Sequence, residues 1–166
     1  ESLKELLSKI NQIRDKSNFK KSFLLKISPD LKDAFIGSII EIALANNIDG
    51  LILTNTTDGN RENLLDKNKN EVGGLSGMPI KELSTTCIKK FYKQLNGEIP
   101  IIGVGGIDSG KDVFEKLSAG ASAVQLYTGM IYKGPTIVKE IKKDLIKIMK
   151  DKGIKKIEET IGSDLN

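Results

Sequence analysis

Histidine is absent from this chain of 166 residues. Its absence removes the commonest general base and the commonest metal ligand, so any proton transfer must use other groups and no metal site is predicted. Cysteine occurs once, as Cys87, which excludes an internal disulfide. Because Cys87 falls inside a predicted helix, it is interpreted as a packed thiol in a reducing compartment.

Long apolar runs are also lacking. No segment approaches the roughly 18 apolar residues of a membrane span, and the first residues do not have the basic and then apolar layout of a secretion signal. The sequence therefore predicts a soluble chain. It begins within a helical pattern and without an initiator methionine, which suggests a fragment of a longer protein.

The charge is mildly basic, a formal +4 from 26 Lys and Arg against 22 Asp and Glu. Most of the excess lies between Lys133 and Lys156, where lysines alternate with apolar residues at helical spacing. This pattern favours the solvated face of an amphipathic helix. Aromatic residues are not interleaved with the lysines, so no nucleic-acid partner is predicted.

Hydrophobic periodicity predicts strands that alternate with helices, an order typical of parallel βα units. The predicted strands are 23–28, 50–56, 100–106 and 121–127, and the predicted helices are 2–15, 31–46, 80–95, 110–118, 135–151 and 154–161. A closed barrel needs eight such units, so this chain would supply half of one. The alternative is an open doubly wound sheet. The half-barrel is favoured by what the strand ends carry.

Polar side chains end the first two predicted strands. Lys26 closes an otherwise apolar strand, where an unpaired buried cation is costly, so an anionic partner is expected. That partner is either a neighbouring carboxylate or negative charge developing on a reduced cofactor. The run from Thr54 to Thr57 offers hydroxyls and an amide suited to a small polar substrate, although a helix cap would use the same residues.

Two glycine-rich loops, at residues 73–77 and 103–110, come just before predicted helices. Glycine permits close backbone approach, so the amides of such loops can converge on a phosphate at a helix start. Each loop alone is also compatible with an ordinary tight turn. Together with Tyr127-Thr128-Gly129 they fit the phosphate site that barrels build after their seventh and eighth strands.

These motifs, in this order and spacing, resemble class 2 dihydroorotate dehydrogenases, the quinone-linked class. The resemblance rests on Lys-Ile-Ser-Pro-Asp at 26–30, Thr-Asn-Thr-Thr at 54–57, Gly-Gly-Leu-Ser-Gly at 73–77, Pro-Ile-Ile-Gly-Val-Gly-Gly at 100–106, and Val-Gln-Leu-Tyr-Thr at 124–128. It implies an α/β fold, a (β/α)8 TIM barrel. Residues 1–166 would be the carboxyl-terminal half of its FMN-binding domain, with the amino-terminal half absent.

The resemblance implies FMN-dependent oxidation of dihydroorotate to orotate in pyrimidine biosynthesis, with a membrane quinone as electron acceptor. It also implies a peripheral location on the cytoplasmic face of a bacterial membrane. Two alternatives remain open from the residues themselves. One is another phosphate-binding barrel, an isomerase or synthase, and the other is a non-catalytic α/β module that keeps a phosphate site.

The family's binding residues carry over by motif. Lys26 would stabilise the reduced flavin, Thr54 would hydrogen-bond the flavin, and Asn55 and Thr56 would hold orotate. The complete cofactor-binding set is Lys26, Thr54, Ser76, Gly77, Val104, Gly105, Gly106, Tyr127 and Thr128. Backbone groups at Gly77, Gly106, Tyr127 and Thr128 would hold the FMN phosphate. The family's catalytic serine lies in the preceding part of the barrel. No catalytic residue is therefore assigned, and these residues alone are expected to be inactive.

Overall fold

The architecture is a parallel sheet flanked by helices, seen in a computed structural model that describes residues 2–17, 21–59 and 61–165. The strands are β1 Leu24–Ile27, β2 Gly50–Leu53, β3 Ile101–Val104 and β4 Ala123–Gln125. They pair in parallel in the order β1-β2-β3-β4. This order contains no reversal, and a doubly wound sheet requires one, so the strands follow the succession of a barrel wall.

In the described chain one helix precedes β1, one helix follows each of β1, β2 and β3 and returns the chain to the next strand, and two helices follow β4. They are α1 Leu3–Lys16, α2 Ile36–Ala45, α3 Lys81–Leu95, α4 Gly110–Ser118, α5 Thr128–Lys133 and α6 Ile137–Asp151, with 3-10 turns at Asp33–Phe35, Met78–Ile80 and Ile157–Thr160. Ser109 caps α4 by accepting a hydrogen bond from the amide of Asp112, which satisfies one of the free donors of the first turn. Among the described residues, no helix is long and apolar enough to cross a membrane.

The core lies between the sheet and the helices that cover it. Leu51 and Leu53 of β2 and Ile88 and Phe91 of α3 are completely buried, and burial of each such side chain contributes about 1.5–3 kcal/mol. A second cluster joins α4 to α6. Cys87 belongs to the first cluster, so the prediction of a packed thiol is confirmed, and burial raises the pKa of that thiol to about 11.

The structure corrects the predicted elements in several places. Each strand ends earlier than predicted, so the polar residues after β2 and β4 lie in loops. The last predicted helix is only a 3-10 turn, Ile157–Thr160. The short helix α5 was not predicted. The fourth strand was expected to be buried on both faces, but Ala123 and Gln125 are exposed. They share a sheet face with Ile102 and Val104, whereas the helices cover the opposite face, which carries the buried Ile101.

Candidate functional site

The carboxyl ends of the four strands surround one cavity of about 350 Å³. All of the residues predicted to bind cofactor or substrate line this cavity: Lys26, Thr54, Asn55, Thr56, Ser76, Gly77, Val104, Gly105, Gly106, Tyr127 and Thr128. They come from five separate segments of the chain. The parallel sheet brings them together because all of its strands point the same way.

Lys26 lies on β1 in register with Ile52 of β2. The sequence predicted a buried ammonium group whose anionic partner is either a neighbouring carboxylate or a reduced cofactor. Burial and the carboxylate partner are wrong for the described residues, and the cofactor partner stays a prediction. The Lys26 side chain is exposed. It lies on the same sheet face as the partly buried Ile52, whereas the helices cover the opposite face, where Leu51 and Leu53 are buried. Among the described residues no carboxylate forms an ion pair with it. Its charge therefore faces the open side of the cavity.

The end of β2 is held rigidly. Thr54 is only 1% exposed, its amide donates to the carbonyl of Val104 at 3.1 Å, and its hydroxyl donates to the carbonyl of Asn55 at 2.9 Å. The amide of Asn55 donates to the carbonyl of Ile27 at 2.8 Å. These bonds fix the backbone, while the Asn55 and Thr56 side chains remain exposed on the cavity wall. The Thr54 hydroxyl oxygen keeps its capacity to accept a hydrogen bond from a ligand.

Asp30 connects the loop after β1 to the loop after β2. One carboxylate oxygen accepts a short hydrogen bond from the hydroxyl of the buried Thr57, and the other accepts the amide of Asp58 at 3.0 Å. From the sequence, Asp30 had no assigned role, and Thr57 was considered only as part of the polar run after β2. The available signal was an acidic residue placed directly after a buried strand and a proline.

The long loop after β2 is closed by its own contacts. Thr57 and Leu75 exchange backbone hydrogen bonds at 3.1 and 2.8 Å, and the Arg61 guanidinium donates to the carbonyls of Lys69, Glu71 and Gly73. A Cβ added at Gly74 would lie 2.0 Å from the Thr56 hydroxyl. The glycine therefore lets the loop pack directly against a predicted substrate-binding side chain.

The anion-binding end of the cavity is built from glycine backbone and two hydroxyls. The Ser76 and Thr128 hydroxyls are 2.9 Å apart. Gly77 has φ +81, and a Cβ there would lie 2.8 Å from Cγ2 of Thr128. Gly106 has φ +66, and a Cβ there would lie 2.3 Å from the Cβ of Lys81. Backbone approach this close requires glycine and leaves amides free to face an anion.

The fourth strand end supplies Tyr127 and the first turn of α5. Tyr127 is 75% exposed, and its carbonyl accepts the first hydrogen bond of the helix, from the amide of Met130 at 3.0 Å. The amides of Thr128 and Gly129 precede that bond and are oriented along the helix start. A Cβ at Gly129 would lie 2.6 Å from the carbonyl oxygen of Ile107, so this turn packs tightly against the loop after β3.

A charged network lies directly behind the anion-binding end. Lys81 forms ion pairs with Asp112 and Glu115; burial opposes its charge, but these carboxylates outweigh burial and raise the pKa of Lys81. Burial likewise opposes ionisation of Asp112, yet its hydrogen bonds with Lys81 and Ser109 lower the pKa of Asp112. Burial and the nearby charge of Lys81 lower the pKa of Lys116 to about 8. The sequence analysis did not single out any of these residues.

The sheet order and the anion-binding end together define half of a parallel barrel with its site at the carboxyl ends of the strands. A family model described as Dihydroorotate dehydrogenase matches residues 1–149. The mouse mitochondrial dihydroorotate dehydrogenase (quinone) is 44% identical over 164 residues, which is 98% of this chain and 42% of that protein. The enzyme of the same name from Christiangramia forsetii is 48% identical over 146 residues, covering 88% of this chain and 43% of its own length.

Two solved structures of a DHODH from Eimeria tenella have the same fold. The ligand-free form superposes with a TM-score of 0.89 at 36% identity, covering 99% of this chain and 50% of the solved one. The complex with ferulenol superposes with a TM-score of 0.90 at 37% identity, covering 98% of this chain and 48% of the solved one. The chain belongs to the dihydroorotate dehydrogenase family, and its four βα units form half of the family's barrel. It spans less than half the length of the curated relatives named above.

Proposed function

We propose that this chain carries the FMN-binding side, and part of the orotate-binding side, of a dihydroorotate dehydrogenase that uses a quinone as electron acceptor. The observation that carries the proposal is the cavity at the strand ends, which is lined by every residue expected to contact cofactor or substrate. Family membership supports this function over an unrelated isomerase or synthase that shares only a phosphate site.

The residues of the cavity fit a flavin mononucleotide. The amides at the two close glycine approaches, together with the Ser76 and Thr128 hydroxyls 2.9 Å apart, form a neutral donor set suited to a phosphate group. Thr54 is fixed in position to hydrogen-bond the flavin ring. Lys26, on β1, places a positive charge in the same cavity, at the sheet edge opposite to β4. When bound, FMN supplies the hydride acceptor for oxidation of dihydroorotate.

Asn55 and Thr56 are assigned to orotate. Both side chains project from a backbone that is anchored to β1 and β3, and Thr56 is supported from behind by Gly74. An amide and a hydroxyl held in this way can pair with the ring and carboxylate of a pyrimidine substrate without reorganising. The exposed ammonium of Lys26 stabilises negative charge on the reduced cofactor. The whole protein is then expected to act at a membrane, where its quinone resides.

The proposal is tested by reconstituting the full-length protein with FMN and titrating it with orotate. We expect a flavin absorption band near ~450 nm that shifts as orotate binds. Thr56→Val, which removes only the hydroxyl, should weaken orotate about tenfold or more and leave FMN bound. Thr86→Val on α3 is the matched control. Failure to retain FMN, or orotate affinity equal in both variants, would contradict the assignment.

A further inference from the structure

The network behind the anion-binding end joins three segments of the chain. Lys81 begins α3, and its Nζ lies 2.7 Å from a carboxylate oxygen of Glu115 and also contacts Asp112, both on α4. Asp112 in turn accepts hydrogen bonds from the amide of Asp108 at 3.1 Å and the hydroxyl of Ser109 at 2.6 Å. One carboxylate therefore fixes both the start of α3 and the loop that leads from β3 into α4.

Lys116 adds a buried contact to the same network. Its side chain is completely buried, and its Nζ donates to the carbonyl of Lys81 at 2.9 Å and to the hydroxyl of Thr85 at 2.7 Å. The charged groups that influence it are Lys81 and Glu82 on α3 and Asp112 and Glu115 on α4. A lysine placed here ties the first turn of α3 to the last turn of α4.

The network touches the anion-binding end through glycine. The loop after β3 lies directly on Lys81, since a Cβ at Gly106 would come within 2.6 Å of the Lys81 Cα and 3.0 Å of its amide nitrogen. Gly77, on the other glycine loop, is separated from Lys81 only by the 3-10 turn Met78–Ile80. The position of Lys81 thus sets the distance between the two glycine loops.

We propose that Lys81 and Asp112 are positioning residues that hold the two glycine loops at the spacing a phosphate group requires. The proposal rests on the proposed function, because it takes the phosphate to be that of FMN. Neither side chain lines the cavity, so each acts through the backbone of the loop it holds. Loss of either pairing lets the loops separate, and the effect should fall on the phosphate end of the ligand and spare its ring.

The test compares FMN with riboflavin, which has the same ring system and no phosphate, in the full-length protein. Asp112→Asn and Lys81→Met should each weaken FMN about 10- to 100-fold while riboflavin affinity stays within about twofold. Lys89→Met is the matched control, since Lys89 lies on the same helix and, within the described part of the chain, forms its one ion pair with Asp164 at the surface, at 3.2 Å. It should change neither affinity.

Three results would overturn the proposal: unchanged FMN affinity in both variants, equal loss of FMN and riboflavin, or equal effects of the control. Equal loss would assign the network to fold stability alone. Inorganic phosphate, followed by its NMR line width, separates this proposal from the proposed function. If the unaltered protein binds phosphate but no FMN, the proposed function fails, and the network is still judged by whether Asp112→Asn weakens phosphate. If it binds neither, both fail.

Discussion

The carboxylate of Asp30 illustrates how one side chain can organise a site from outside the cavity. It accepts two hydrogen bonds, from the Thr57 hydroxyl and the Asp58 amide. In Asp30→Asn an amide group would face one of these donors, so we expect a loss of roughly 1–3 kcal/mol of stability and weaker orotate binding through Thr56. Urea unfolding and orotate titration measure the two effects.

Asp33→Asn is the control for that substitution. Asp33 pairs with Lys90 at 2.7 Å, but its side chain is 68% exposed, and surface pairs of this kind contribute about 0–1 kcal/mol. Equal destabilisation by the two variants would show that the Asp30 hydrogen bonds have no special role in holding the loops together.

Lys116 predicts an unusual dependence of stability on pH. Burial lowers its folded pKa to about 8, below the ordinary lysine value of 10.5, so between these pH values the unfolded chain binds a proton that the folded chain does not. The free energy of unfolding therefore rises with pH across that window. Below the window, the buried charge of Lys116 lowers it by a constant amount. The advantage of Lys116→Met over the parent, in urea unfolding, should shrink steadily from pH 8 to 10. A difference that is independent of pH would contradict the assignment.

The glycine loop that enters α4 makes a prediction about a whole element. Gly106→Ala would place a methyl group against the backbone of α3, and relief of such a clash costs about 1–3 kcal/mol and displaces the loop. We expect lower thermal stability and loss of bound FMN. Gly134→Ala is matched in φ, with +74 against +66, but a Cβ at Gly134 would have no atom within 4 Å. This variant has backbone strain without a steric clash, so it separates the two effects. It should retain FMN.

The elements were predictable to different degrees, for physical reasons. Strands β1 to β3 were located by apolar runs bounded by polar or glycine residues, since burial of both faces leaves that signal. The helix α5 was missed because six residues, Thr128–Lys133, are too few to show a periodicity. The cavity residues were found because polar groups at strand ends are conspicuous. The network of Lys81, Asp112 and Lys116 was not, because contacts between two helices leave no spacing in the sequence.

The molecule as a whole presents two strand edges, those of β1 and β4, without a partner among the described residues. Unpaired edges promote association between chains, and β4 also carries an exposed Ala123. We therefore expect the isolated 166-residue chain to self-associate, so that light scattering gives a molar mass above the 18.2 kDa of one chain. We also expect it to turn over no dihydroorotate. Ala123→Lys should shift it towards the monomer, whereas Ser122→Lys, in the preceding turn, should not. Equal association of both variants would exclude the β4 edge as the contact.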